Sequence, residues 1–472
     1  MSRRAACCAL LTSLLCVLVV PASRAQTVEL SGGQTGEGGA GRSIGGNIPA
    51  APGEEEKPAV NPWYSTHAQA TVILQGNGPF RSPYEGTHSF ISAYELRTTA
   101  TVTLFFAAKL PWEGGMVIIN PEAAGGRGTS DVFGLGGPTN GEAVRVGSPQ
   151  PTPYFARFLF QQTFELGGEW EQLADVANQI PGPHYKNNVV IKIGKMPAID
   201  DFDDNTFSHD PRLQFMNWGL MYNPTWDYPA NTRGYTYGFD IEANFLDWSA
   251  RYGVWAPPSV ANGPSLDPHI LRAQGHALEL EQRWTILNEL PGTARLLGWL
   301  NSAHMGSYRE ALQQMPVDPE VSQTRRYRLR YGFGFSWDQE LIRNELGIFG
   351  RLGYADGHAE TWAFTEVERT ISIGMLLKGK RWGRPKDEVG LALLVNGIGP
   401  QHRAYLAAGG LGFELGDGKL SYAPEVTVET YYNVRVRKGI FVSLDLQEIN
   451  NPGYNRDRGP IFVVGLRTHF EY

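Results

Sequence analysis

Across residues 325–338 the chain alternates without a break. Tyr327, Leu329, Tyr331, Phe333, Phe335 and Trp337 fall on one side, and Arg326, Arg328, Arg330, Gly332, Gly334 and Ser336 on the other. A period of two with one side large and apolar describes a β-strand whose outer face meets hydrocarbon and whose inner face meets water. Tyr327 and Trp337 stand about ten residues apart. At roughly 3.3 Å per residue and a tilt of about 40°, that is roughly 25 Å along a membrane normal, the height of an apolar band between two aromatic girdles.

The pattern recurs to the end of the chain. Phe462, Val464, Leu466, Thr468, Phe470 and Tyr472 alternate with Arg467, His469 and Glu471; Val426, Val428, Thr430, Tyr432, Val434 and Val436 alternate with Glu425, Glu429, Asn433, Arg435 and Arg437. Ile440, Val442, Leu444 and Leu446 are separated by Ser443, Asp445 and Gln447. Tyr235, Tyr237, Phe239, Ile241, Ala243 and Phe245 are interleaved with Asp240, Glu242 and Asn244, and Leu278, Leu280, Trp284 and Ile286 with Glu279, Glu281, Arg283 and Thr285. Connections alternate between short ones such as Arg437-Lys438-Gly439 and long polar ones such as 306–323. Short turns on one rim and long loops on the other belong to outer-membrane barrels.

The fold class that follows is all-β: a transmembrane antiparallel β-barrel of 16 strands, with 18 possible. The weakly alternating stretches 114–120 and 406–415 are read as loops or inward folds. Short loop helices are expected over 170–179 and 308–315.

Residues 1–25 read as a secretory signal. Arg3 and Arg4 precede an apolar stretch over 9–20, and Ser23 and Ala25 supply the small residues before a cleavage at Gln26. The apolar stretch is shorter than the roughly 20 residues a spanning helix needs, and no longer one follows, so a membrane role requires a closed barrel. Residues 26–62 are rich in Gly, Pro and Glu and read as a disordered periplasmic segment, leaving 63–472 as the barrel domain. All three cysteines (Cys7, Cys8, Cys16) lie in the signal, so the mature chain has no disulfide and no thiolate metal site. The formal net charge is −7 before the signal's three arginines leave, which argues against nucleic acid. The 12 Trp, 20 Tyr, 22 Phe and 56 Gly fit a wall with one greasy and one wet face.

Candidate chemistry lies on the inward faces, where Arg157, Arg251, Arg283, Arg326, Arg328, Arg330, Arg351, Arg435 and Arg467 meet Glu165, Asp240, Glu242, Glu279, Glu281, Glu429 and Asp445. Most are the wet side of the wall. Those at mid-depth are expected to line a constriction that sorts solutes, and Glu279, Arg283 and Glu429 are counted among them. Arg326, Arg328 and Arg330 repel one another at about 7 Å spacing and need either carboxylates across the lumen or a solute to neutralise them. Facing charges of both signs suit polar, uncharged, hydroxyl-rich molecules. Phe155, Tyr431 and Phe441 either offer flat faces to sugar rings or pack beneath a loop. The acidic run 200–210 lacks the Gly and Glu positions of an EF-hand, and reads as structure or a loop inserted into the lumen before calcium or carboxylate catalysis. No nucleophile elbow, phosphate-binding loop or His-Glu-Xaa-Xaa-His motif occurs.

The run Gly194-Lys-Met-Pro-Ala-Ile-Asp-Asp-Phe-Asp-Asp-Asn-Thr-Phe-Ser-His-Asp210, with Gln214-Phe-Met-Asn-Trp218 and Asp227-Tyr-Pro-Ala-Asn-Thr-Arg-Gly-Tyr-Thr-Tyr-Gly238, resembles the carbohydrate-selective porin family (OprB-type) of Gram-negative outer membranes. So do Asn120-Pro-Glu122, Asn140-Gly-Glu-Ala143, the stretch 156–164, Asp445-Leu-Gln447 and Asn451-Pro-Gly453. The resemblance implies a 16-stranded outer-membrane porin, not an enzyme and without cofactor or metal, that passes glucose and related mono- and disaccharides into the periplasm. It implies contact with membrane lipid and lipopolysaccharide, as a monomer or homotrimer. It also implies a narrow point lined by arginines and acids, carried here to Arg157, Asp240 and Glu242. The Gly-rich lead and Gln161, where a basic residue is expected, depart from the family. Two other readings remain: a general or anion-preferring porin, and a secreted β-rich sugar-binding protein or glycosidase.

Overall fold

A computed structural model of the protein describes residues 62–143, 149–287 and 289–472. The expected signal (1–25) and all but the last residue of the 26–62 segment lie outside the described residues. Sixteen strands form the wall: β1 (Tyr64–Asn77), β2 (Glu95–Lys109), β3 (Gly115–Gly126), β4 (Thr152–Leu173), β5 (Gly182–Met196), β6 (Thr236–Phe245), β7 (Trp248–Trp255), β8 (Gln274–Ile286), β9 (Leu290–Met305), β10 (Arg326–Ile342), β11 (Leu346–Ala355), β12 (Arg369–Gly379), β13 (Arg384–Gly397), β14 (Glu425–Arg437), β15 (Ile440–Asn450) and β16 (Ile461–Glu471).

Each strand pairs with its sequence neighbours, and β1 pairs antiparallel with β16 to close the barrel (Gln69 opposite Glu471, Asn77 opposite Val463). Closure leaves no unpaired strand edge, which hydrocarbon would not tolerate. Among the described residues no helix is long and apolar enough to cross a membrane; the strands do.

The alternation reads as expected. On β10, Leu329, Tyr331, Phe333 and Phe335 point outward while Arg330 and Ser336 are buried inside. On β16, Phe462, Val464, Leu466 and Phe470 are outside while Arg467 and His469 are inside. Even-to-odd connections are short and odd-to-even ones long, so the rim bearing the short turns and the C-terminus is the periplasmic one.

Four expectations change. Residues 115–126 form a wall strand, β3. Their alternation is weak because Ile118 faces inward onto Ala107, Leu159 and Ile180, in an apolar patch of the lumen. The 170–179 helix is absent: Trp170 pairs with Tyr185 as β4 runs on beyond the barrel wall, and cross-strand pairing outweighs local helix propensity. Tyr235 faces inward, its hydroxyl donating to Glu122 Oε1 at 3.0 Å. Phe155 faces outward, because the register shifts where Pro121, which has no N–H to give the ladder, stands opposite it.

The helix Tyr308–Gln314 forms as expected, capped by Ser307, whose hydroxyl accepts from the Glu310 N–H.

Candidate functional site

The longest inward structure is the connection between β5 and β6, residues 197–235, which carries the acidic run. It crosses the lumen and is fastened around the wall. Arg157 on β4 donates to Asp200 (2.6 Å), Lys192 on β5 pairs with Asp201, and Arg351 on β11 donates to both oxygens of Asp203 (3.1 Å each). Glu279 on β8 accepts the Asp203 backbone N–H at 2.8 Å. Glu429 on β14 accepts the backbone N–H groups of Met216 and Asn217. Arg467 on β16 donates to the carbonyls of Pro211, Leu213 and Gln214 at 2.6–2.9 Å. Arg330 on β10 meets Asp227 at 2.8 Å. A loop carrying many acidic side chains and free backbone groups is stable inside the barrel only because wall residues satisfy them one by one. Among the described residues no group of three His, Asp or Glu converges as a metal site, and Asp200, Asp201 and Asp203 face separate basic partners.

The same loop supplies an aromatic interior. Its Trp218 and Tyr228 stack with Phe364 of the β11–β12 connection (Tyr228 to Phe364 at 4.2 Å), and its Phe202 packs edge-on to Trp255 of β7 at 5.3 Å. Tyr431 packs edge-on to Phe215 at 5.0 Å, and Phe441 lies buried beside His469, so both pack within the lumen rather than presenting a free ring face.

Between this loop and the β1–β4 wall lies a narrow recess, open at its mouth. Its lining includes Gln69, Phe105, Glu122, Glu142, Arg157, Asn178, Asp200, His209, Asp210, Arg212 and Tyr222. Arg212 pairs with Glu142 (3.2 Å) and Glu122 (3.4 Å), and Arg157 with Asp200 and with Asn120 Oδ1 (3.2 Å). Two guanidinium groups thus face three carboxylates in one small space, with Phe105 and Tyr222 as apolar surface. His209 Nδ1 and Asp210 Oδ2 are buried without a hydrogen-bond partner, the nearest carboxylate oxygen to that nitrogen being Asp204 Oδ1 at 3.8 Å. Burial holds the Asp210 carboxyl above its ordinary value, against the Arg212 backbone N–H that it accepts. Guanidinium donors and carboxylate acceptors together complement a molecule that is both donor and acceptor over its whole surface.

Of the residues expected at a constriction, only Arg157 lines this recess. Asp240 is buried opposite Lys192 on the β5–β6 ladder. Glu242 and Glu279 share Arg251 (2.7 and 2.9 Å), and Arg283 donates to Ser249 (2.8 Å) and pairs with Glu281 near the periplasmic turn. These belong to a charge network continuing through Glu281 and Arg295 to Asp338 across β6–β10. The Arg326, Arg328 and Arg330 ladder is neutralised by the protein itself. Arg326 and Arg328 share Glu310 at the long-loop rim, and Arg330 is sealed beneath loops, donating to the carbonyls of Asp356 (2.6 Å) and Ala359 (2.9 Å). Glu429 is fully buried under Met216 and Asn217. The recess residues the alternation missed sit in Asn120-Pro-Glu122, Asn140-Gly-Glu-Ala143 and the end of the acidic run. Those motifs are visible in the chain, but nothing in them locally says which wall they meet.

A closed 16-stranded antiparallel barrel with a charge-lined lumen narrowed by an inward loop is a porin. Residues 87–472 match the family model described as carbohydrate-selective porin, OprB family, and the chain belongs to that family. The barrel therefore sits in the Gram-negative outer membrane and serves carbohydrate transport. Among solved structures, Pseudomonas putida OprB at high pH aligns with a TM-score of 0.67 at 16% identity, covering 87% of this chain and 94% of that one. The low-pH structure of the same porin aligns with a TM-score of 0.47 at 12% identity, over 87% and 92% of the two chains. No curated protein matches the sequence.

Proposed function

We propose that the recess beside Arg157 is the selective constriction, and that it passes neutral mono- and disaccharides, glucose among them, by passive diffusion. The observation carrying this reading is the grouping of Arg157 with Asp200 and of Arg212 with Glu122 and Glu142 around one space. A sugar entering it exchanges hydration for charge-assisted hydrogen bonds, while each guanidinium is already held by carboxylates and offers a simple anion no open cationic site. Passage requires weak binding, on the order of millimolar, so that the solute leaves as readily as it enters. An exported chain with a removed signal and a periplasmic 26–62 lead, working as a monomer or homotrimer, is consistent with this role.

Liposome swelling with a panel of mono- and disaccharides, beside reversal potentials in a salt gradient, tests it. Sugar entry without anion preference is expected. A strong anion preference without sugar entry would replace this reading with that of a general or anion-preferring porin.

A further inference from the structure

Strand β4 is far longer than its neighbour. The β3–β4 ladder ends where Gly115 meets Gln162, yet β4 continues to Leu173, paired there with β5. The extension bends where the β4–β5 register shifts twice in succession, around Gly167, and Gly167 and Gly168 have φ of +81° and +96°. Two adjacent left-handed residues in a strand are accessible to glycine and strained for any β-branched residue. The bend returns the turn 174–181 toward the barrel. Asp175 meets β1 there, at Ser65 Oγ (3.3 Å) and His67 Nε2 (3.1 Å), although β2 and β3 lie between β1 and β4 in the wall. The turn's Ala177 and Asn178 form part of the recess lining, and Asn178 Oδ1 is buried with no hydrogen-bond partner. Ile180, at the end of the turn, is buried in the apolar cluster that includes Ala198 and Ile199 of the inward loop.

We propose that the β4–β5 hairpin tip is a hinged periplasmic flap. It bends at Gly167-Gly168, latches through Asp175 onto Ser65 and His67, and closes the exit side of the recess while lending Asn178 as a sugar-hydroxyl contact. The proposal rests on reading the recess as the sugar path. The contrast between fastenings supports a movable part: the inward loop is held by buried ion pairs, whereas the Asp175 side chain is 67% exposed in its latch, so that latch is the weaker of the two.

The mature chain has no cysteine, so the full barrel carrying Ser65→Cys and Asp175→Cys gives a clean lock. Swelling with glucose and with a disaccharide, and single-channel conductance, are read before and after oxidation and again after reduction. Cross-linking is verified by gel mobility, and the reduced form is its own folding control. Oxidation should slow sugar entry severalfold and reductant should restore it. Gly167→Val, where a Cβ meets nothing within 4 Å, should straighten the hinge and raise conductance, and Asn178→Ala should weaken sugar block of the current. A verified cross-link that leaves both sugar entry and conductance unchanged would overturn the flap. If wild-type barrels pass no sugar but the lock still lowers ion conductance, the sugar reading fails and the flap stands.

Discussion

Arg351 is the sharpest test of how the lumen is built. Its side chain is 1% exposed. Nε donates to both Asp203 oxygens at 3.1 Å, Nη1 to the Leu220 carbonyl at 2.7 Å, and Nη2 to the carbonyls of Ser208 (2.6 Å) and Met221 (3.1 Å). Arg351→Met keeps much of the stem volume but strands a buried carboxylate and four carbonyls, that of Asp203 (3.4 Å) included. Breaking a buried pair from one side costs about 3–5 kcal/mol, because the remaining charge stays desolvated. That cost falls on the attachment of the inward loop, since the strand ladders on either side of β11 do not depend on it. In planar bilayers the variant should show higher and noisier single-channel conductance and weaker sugar block, while the barrel keeps its heat-resistant gel mobility. Asp203→Asn added to Arg351→Met removes the stranded charge, so the double variant should recover part of the loss. Unchanged conductance and block in Arg351→Met would refute the claim that this ion pair holds the loop across the lumen. Strictly additive effects would refute the account of the energy as a stranded charge.

Further outcomes are expected elsewhere. Arg157→Ala should weaken sugar block and shift the reversal potential toward cation preference, because Asp200 then faces the recess without its counter-charge. Burial pushes the Asp227 carboxyl up to about 6, against the pull of Arg330. The folded state therefore holds this proton more tightly than the unfolded chain does, and stability should fall as pH rises from about 4 to about 6 and level off above that, by roughly 3 kcal/mol. Urea unfolding from lipid vesicles across that window should show the slope, and Asp227→Asn should remove it. Phe333→Lys puts a charge on the outward face opposite Gly298 and should destabilise the barrel by about 2–4 kcal/mol in the same assay, as expected for a cation near the bilayer midplane.

The wall was legible in the chain because its rule is local. Each residue's side is set by parity, lipid and water enforce that parity independently at every strand, and a one-residue slip would put a whole charged face into hydrocarbon. That is why the residues of β10, β14, β15 and β16 could be assigned to their faces one by one. Parity failed where tertiary structure overrules it: at Phe155, where the ladder shifts register, at Tyr235, which turns in to reach Glu122, and at Glu165, which lies on the β4 extension beyond the wall and pairs with His184. The lumen followed no local rule. Arg351 meets Asp203, Glu429 meets Met216, and Arg212 meets Glu122 across long separations in sequence, and an arginine on an inward face looks the same in the chain whether it lines a path, pins a loop or seals beneath one. Sequence alone determined that there is a closed barrel with a charged interior. Only the tertiary structure decided which charges neutralise each other and which are left facing a solute, because that depends on where the loops fold once the wall has closed around them.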